Sequence, residues 1–283
     1  MSQLPLVTLG MPVRNGVAMV AGALDSMLAQ DYPNIEIVVS DNASNDGTSE
    51  VLAEYAARHP NMRILRQDVP LTAIDNFMFV LKQARGEYFA WCAHDDTRSP
   101  DFVSGLIPAF GDPQVILVFG ELRRWDGINP PARYDNYEFA NQGLPRWRRL
   151  RKAAHMQCYH IYGLWRTRAL HAVNYRYTYW WSDLPIILAA ASMGTFGYVA
   201  GPWFCYLEAN KSNESRARDQ DYRNPVSRAQ NLASLLRAVF VTVARTVGLV
   251  PALLATLFTA EKYLRYLPRF MTMRLRSREL HRL

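Results

Sequence analysis

The sequence has no Gly-rich turn after its first strand-like segment and no Gly-Lys-Ser/Thr of the phosphate-loop kind. That sets aside a dinucleotide dehydrogenase or a P-loop enzyme. Cysteine is scarce: Cys92, Cys158 and Cys205 are odd in number and lack metal-ligand spacing, so they read as buried thiols of a reducing compartment. No basic-then-apolar leader opens the chain, so export is not expected. Internal repeats and low-complexity tracts are absent. The apolar C-terminal region holds no bilayer span, because its longest uncharged run, Thr246 to Ala260, is 15 residues, short of the ~20 that crossing takes. Lysine is rare as well. Of 32 basic residues 28 are arginine, whose planar fork suits phosphate, although a biased genomic base composition would give the same excess.

What remains is ordinary globular usage, 49% apolar and 20% charged over 283 residues, enough for one large domain or two small ones. The formal charge of +7 is local in origin. Residues 140–152 hold Arg146, Arg148, Arg149, Arg151 and Lys152 with no acid, and residues 261–283 hold seven basic side chains against Glu261 and Glu279. Each patch carries +5, which leaves −3 for the rest of the chain. The patches point to anionic partners. A nucleic acid is not expected, because there is neither a continuous basic face nor a recognised binding module.

From residue 6 to 96 strands alternate with helices. Leu6–Met11, Ile35–Val39, Met62–Leu65 and Tyr88–Trp91 read as strands; helical periods run from Gly16, through Val51–Ala56, and from Ala73 to Ala84. This is the pattern of a mainly parallel, Rossmann-like α/β sheet with helices on both faces. Asn15, Asp41 and Asp95, following the first, second and fourth strands, should share the edge where such folds bind ligands. There Trp91-Cys92-Ala93-His94-Asp95-Asp96 brings two adjacent carboxylates to a strand end. They repel unless a cation or donor lies between them, and a hard oxygen site suits Mg²⁺ or Mn²⁺. A solvated turn is the alternative for the doublet, and an Asx-turn for Asp41.

An ordered set of segments carries a resemblance. Met11-Pro12-Val13-Arg14-Asn15-Gly16, Gln30-Asp31-Tyr32-Pro33-Asn34, Ser40-Asp41-Asn42-Ala43-Ser44-Asn45-Asp46-Gly47-Thr48, and Gly86-Glu87-Tyr88 leading to His94-Asp95-Asp96 resemble a family 2 inverting glycosyltransferase of the GT-A fold. The resemblance implies a nucleotide-diphospho-sugar donor, with a UDP-sugar favoured, and a divalent cation, Mn²⁺ or Mg²⁺. It implies that Pro12 and Asn15 line the nucleotide pocket, that Asp41 hydrogen-bonds the base, that Asp95 meets ribose or sugar, and that Asp96 binds the metal. Arg66 and Asn76 match less sharply and would approach base or diphosphate; an exposed helix face is the alternative for Asn76. The family's metal-completing histidine has no counterpart around Tyr206–Ser212, where Glu208 or Asn210 could substitute.

After the strand Val115–Phe119, residues 121–150 lose periodicity and gain aromatics and arginines, which reads as a lid or acceptor loop or as a solvated surface loop. Ile161–Thr167 resembles, loosely, an acceptor-side strand. A helix follows from Ser182 to Gly194, and Asp183 in its first turn stands where the family has its catalytic base. A carboxylate there could take the acceptor hydroxyl's proton, desolvated by Trp180 and Trp181; an acid complementing the helix dipole is the plainer reading. From Arg228 the chain turns helical and ends amphipathic and basic, the pattern of a segment lying in a membrane interface, on a partner subunit in an oligomer, or on the body of the protein.

The expected division is therefore 1–120 for the donor half, 121–227 for the acceptor half with the base, and 228–283 for a helical, membrane-associating segment. The expected function is transfer of a sugar to a hydroxyl of a glycan or lipid-linked saccharide in surface polysaccharide synthesis, in the cytoplasm and peripheral on the inner face of the plasma membrane. Transfer to a polyprenyl phosphate, or a non-catalytic nucleotide- or nucleic-acid-binding protein, are the competing readings.

Overall fold

The computed structural model describes residues 4–134, 136–156, 158–175, 183–208 and 225–263. β3 (Met62–Arg66), β2 (Ile35–Asp41), β1 (Val7–Val13) and β4 (Tyr88–Trp91) lie side by side and parallel. The same sheet continues through β8 (Leu164–Arg166), β6 (Val115–Trp125), β9 (Thr195–Leu207) and β5 (Thr97–Arg98), with β7 (Ala132–Tyr134) paired to β6. β1 is buried along its whole length, as a central parallel strand covered on both faces should be. Strand alternation divides the apolar residues between two cores: Val38, Phe89 and Trp91 face one, Ile37, Val39 and Ala90 the other.

α1 (Val20–Leu28) and α2 (Thr48–Arg58) pack on the second core, α3 (Ala73–Gln83) on the first. α3 is capped by Thr72, whose hydroxyl accepts from Asp75 N at 3.2 Å. α4 (Phe102–Leu106), α5 (Arg146–His155) and α6 (Thr167–Ala172) follow along the chain. α7 (Asp183–Met193) is apolar all round and buried from Leu184 to Ser192, between α5 and the long helix Pro225–Val247. A helix without a polar face has to lie inside the fold.

Several expectations shift. The helix foreseen from Gly16 begins at Val20, after a turn in which Met19 N and Val20 N both donate to Gly16 O. The strand foreseen to end at Phe119 runs on to Trp125 because β9 and β7 pair with its second half. The segment 121–150 is therefore not one irregular loop: it contains the end of β6, β7, a 3-10 turn at Tyr137–Phe139 and the start of α5. The division foreseen at 120/121 falls inside β6, so both halves share one sheet. The C-terminal region makes two helices, Pro225–Val247 and 249–263, separated by Gly248 at φ 98. Among the described residues no helix is long and apolar enough to cross a membrane.

β6 and β9 run parallel, with irregularities between Val115 and Leu117 and between Phe119 and Glu121. Gly120 occupies the second, where an added Cβ would stand 2.0 Å from Pro202 O. No side chain fits against a backbone carbonyl at that distance. Gly120→Ala should therefore push β9 off β6 and lower unfolding free energy by about 1–3 kcal/mol; chemical denaturation with an unchanged midpoint would contradict this close approach.

Candidate functional site

The strand ends of the parallel half deliver two interlocked loops. Asn15 and Ala43 both hold left-handed backbone, at φ 52 and 53, uncommon for residues with a Cβ. Asn15 N donates to Ser44 Oγ at 2.9 Å, Asn45 N to Asn15 Oδ1 at 3.0 Å, and Gly16 N to Thr48 Oγ1 at 2.9 Å. Val17 N donates to Asp46 Oδ2 at 3.1 Å. Pro12 is buried in β1 beneath these loops, while Asn15 is exposed at the rim. A Cβ on Gly16 would meet His94 Cδ2 at 2.5 Å, so the absent side chain lets the His94-Asp95-Asp96 loop pack on the first one.

Asp41 ends β2 and is fully buried. Its Oδ1 accepts from Ser44 N at 3.0 Å; its Oδ2 accepts from Ser49 and from the Arg66 guanidinium at 2.6 Å. Burial works to raise its pKa, but the bonds from Ser44 and Ser49 and the charge of Arg66 outweigh it and hold the carboxyl below its ordinary range. Arg66 is half exposed and also donates to Ser44 O at 2.8 Å.

Asn76 departs from the exposed helix face that was its alternative reading. It is buried, not on an exposed face. Its Oδ1 accepts from Ser40 Oγ at 2.6 Å and its Nδ2 donates to Ser40 O at 3.3 Å. Both ends of the amide are engaged, which makes Asn76 a clamp between α3 and β2.

Asp95 is half-buried and Asp96 buried, on the turn between β4 and β5. Asp96 Oδ1 accepts from Leu207 N at 3.1 Å, across β9. The buried Arg98, which donates to Trp91 O at 3.2 Å and contacts Cys92 Sγ, supplies nearby positive charge. These offset only part of the cost: burial first, and the charge of Asp95 second, push Asp96 up to about 7. The turn is pinned in place by Gln30, whose Nε2 donates to Ser99 O at 2.8 Å, and by Ser99 Oγ accepting from Trp203 N at 2.9 Å.

Across the site Asp183 opens α7. Part of its surface reaches solvent, yet it lies deep among protein atoms, and that burial pushes its carboxyl up to about 6. Trp180, Trp181 and Ser182, foreseen to desolvate and cap it, lie outside the described residues. The link between the halves is Tyr162, stacked on Phe204 of β9 at 5.2 Å. Burial first, then the charges of Asp183, Asp96 and Asp95, raise its phenol well above the ordinary value. Tyr206 behaves alike, pushed up to about 12 by burial, by Tyr159 and by the Asp96 and Asp95 charges. The adjacent pair Asp95–Asp96 and the sequence-distant Asp183 thus act on one aromatic cluster. Tyr162 and Tyr206 escaped the sequence reading because neither carries a motif; their aromatic neighbours in sequence were the available signal.

The residues fit a hard dication in one respect: a close carboxylate pair, one member buried and poorly neutralised, is stabilised by positive charge. Among the described residues no third His, Cys, Asp or Glu joins them, so most ligands would come from donor oxygens and water, as Mg²⁺-like ions allow. Glu208, foreseen as a substitute ligand, is paired with Arg124. Asn210 lies outside the described residues.

The family described as glycosyl transferase family 2 matches residues 8–169, more than half of the chain. An uncharacterized glycosyltransferase of Rickettsia typhi is 35% identical over 103 residues, 36% of this chain and 31% of that protein. An uncharacterized protein of Mycobacterium bovis is 45% identical over 78 residues, 26% of this chain and 22% of that protein. The matched region spans less than a third of these relatives' own length. S. aureus TarS 1-349 in complex with UDP-GlcNAc superposes with TM-score 0.68 at 16% identity, over 92% of this chain and 72% of that one. Mannosyltransferase PcManGT from Pyrobaculum calidifontis, in complex with GDP-Man and Mn2+, gives 0.57 at 18% identity, over 96% and 84%. At such identities the likeness is one of fold, here the GT-A fold.

The Asp96 environment has a pH signature in the protein without metal or donor. Its folded value of about 7 stands above the ordinary 3.8, so its contribution to stability is complete below pH about 4 and is lost as pH rises through about 7. Between about pH 5 and 8, Asp96→Asn should lose less stability than the wild type. Thermal unfolding profiles that stay parallel across that window would contradict the buried carboxylate pair.

Proposed function

Because the chain belongs to glycosyl transferase family 2, we propose that it moves a sugar from a nucleotide-diphospho-sugar, UDP-linked by preference, to a hydroxyl of a glycan or lipid-linked saccharide, with inversion, in surface polysaccharide synthesis. The observation that carries this reading is the convergence of Asp183 with Asp95 and Asp96 around Tyr162. A buried acid with a value of about 6 suits a general base working near neutrality. The carboxylate pair suits a divalent cation that in turn binds a ligand's phosphates. TarS with UDP-GlcNAc and PcManGT with GDP-Man and Mn2+ share the fold, which supports a nucleotide-sugar donor and a divalent ion.

On this reading Pro12 and the Asn15 loop line the nucleotide pocket. Asp41 accepts from the base's imide N–H, with Arg66 giving up Oδ2 and its half-exposed guanidinium turning to the ring or the diphosphate. Asp95 accepts from a ribose or sugar hydroxyl. Asp96, with Asp95, would hold Mn²⁺ or Mg²⁺, an ion that neutralises charge on a leaving diphosphate when bound. Asp183 takes the acceptor hydroxyl's proton as that oxygen attacks the anomeric carbon opposite the diphosphate. The anomeric C–O bond to the diphosphate breaks with its electron pair, and nucleoside diphosphate leaves.

A thermal-shift panel of UDP-, GDP- and dTDP-sugars, each with and without Mn²⁺, tests donor and ion together. One nucleotide should raise the midpoint in the presence of Mn²⁺, and Asp96→Ala should abolish the rise; no rise with any donor would sink the proposal. Asp183→Asn should keep donor binding and lower turnover roughly 10²–10⁴-fold. Wild-type turnover should climb with pH through about 6 as the base deprotonates. An Asp183→Asn protein with nearly intact turnover would instead favour an acceptor that is already anionic, such as a polyprenyl phosphate.

A further inference from the structure

The last described helix, 249–263, leaves one apolar row uncovered. Leu249, Leu253 and Leu257 are 65%, 55% and 63% exposed, and Val250 beside them is 70% exposed. At four-residue spacing they follow one helical stripe. The next position in that row is Glu261, which pairs with Arg151 of α5 at 3.0 Å. The row therefore meets the basic helix at Arg151, one turn from Trp147 and Arg148. Pro251, Ala252, Ala255 and Thr259 are buried on the helix's other side, so this is a packed helix with a bare face.

The basic residues of α5 divide into two groups. Arg149 donates to Ala191 O and Leu144 O at 3.0 and 3.1 Å, Lys152 donates to Ala140 O at 2.8 Å, and Arg151 holds Glu261. These three fasten α5, so the segment is not simply solvated charge. Arg146 and Arg148 are exposed and meet no acid among the described residues. Trp147 between them is 46% exposed, with the Arg148 guanidinium 5.1 Å from its ring centre. An aliphatic stripe, an amphipathic indole and unopposed arginines are the features of a surface that lies in a lipid headgroup layer.

We propose that this face, the Leu249–Leu253–Leu257 stripe with Trp147, Arg146 and Arg148, docks on an anionic lipid bilayer. The leucines enter the acyl boundary, and the arginines meet lipid phosphates. The charge complementarity selects a membrane over a second copy of the chain, whose matching face would present the same positive charge. This inference does not rest on the catalytic reading and can fail or stand separately from it.

The test is flotation of the full chain with phosphatidylcholine vesicles, alone or containing phosphatidylglycerol. The wild type should float with the anionic vesicles and weakly or not at all with the neutral ones. Arg146→Glu with Arg148→Glu should weaken anionic-vesicle binding at least about twentyfold, at about fivefold for each charge removed. Leu253→Glu with Leu257→Glu should abolish it. Unchanged thermal midpoints would show that the variants fold. A wild type that stays with the pellet, or variants that float equally well, would overturn the proposal. So would sedimentation showing that the leucine variant converts a dimer to a monomer while vesicle binding persists.

Discussion

Two adjacent carboxylates, one of them buried, set the terms for the rest of the rim. Among the described residues Asp96 receives one backbone N–H, from Leu207, and the partial help of Arg98. A buried carboxylate with so few donors is costly to ionise. Holding it there requires a rigid turn, and the chain supplies one from three directions: Gln30 from the end of α1, Trp203 from β9 and His94 packed over Gly16. β9 can reach the turn only because Gly120 lets it bend close to β6 at Pro202. The irregular β6–β9 pairing and the packing of the carboxylate turn therefore depend on one another.

Asp41, on the same sheet edge, shows the opposite solution. Its oxygens accept from Ser44, Ser49 and Arg66, and its carboxyl is held low although it is as closed to solvent as Asp96. One acid has its charge met by the protein, and the other is left short. The difference lies in donors as well as depth: β2 runs into a polar loop whose backbone N–H groups and hydroxyls turn back on Asp41, whereas Asp96 lies deeper among protein atoms and the turn after β4 offers it a neighbouring negative charge instead. Such contrast between nearby acids is how a fold separates structural from reactive groups.

Much of the parallel half was legible in the sequence. Buried strands ending in Asn15, Asp41 and Asp95 imply one polar edge once a parallel order is accepted, and the order β3-β2-β1-β4 puts them there. The motif around Gln30 was visible as a pattern, but its physical task was not, because Gln30 bonds a residue 69 positions away. The burial of Asn76 was not legible, because helical periodicity alone does not reveal that Ser40 lies opposite it. The second half read poorly for a related reason. β6 beyond Phe119 has few strand signals of its own and is extended by its partners β7 and β9. The row Leu249–Leu253–Leu257 lay inside a run judged by its length, and only the packing showed which side was bare.

The two acids on either side of Tyr162 are raised by different causes. For Asp96 a close negative neighbour adds to burial, whereas for Asp183 burial is the cause. Positive charge arriving at the Asp95–Asp96 pair would relieve the first and leave the second where its depth in the protein sets it. Tyr162 feels all three carboxylates, and its ring is stacked on Phe204. An acid placed like Asp183 can therefore keep a value suited to proton transfer while the opposite wall changes its charge. That independence follows from placing the acids on separate elements, the turn after β4 and the start of α7, instead of gathering them on one loop.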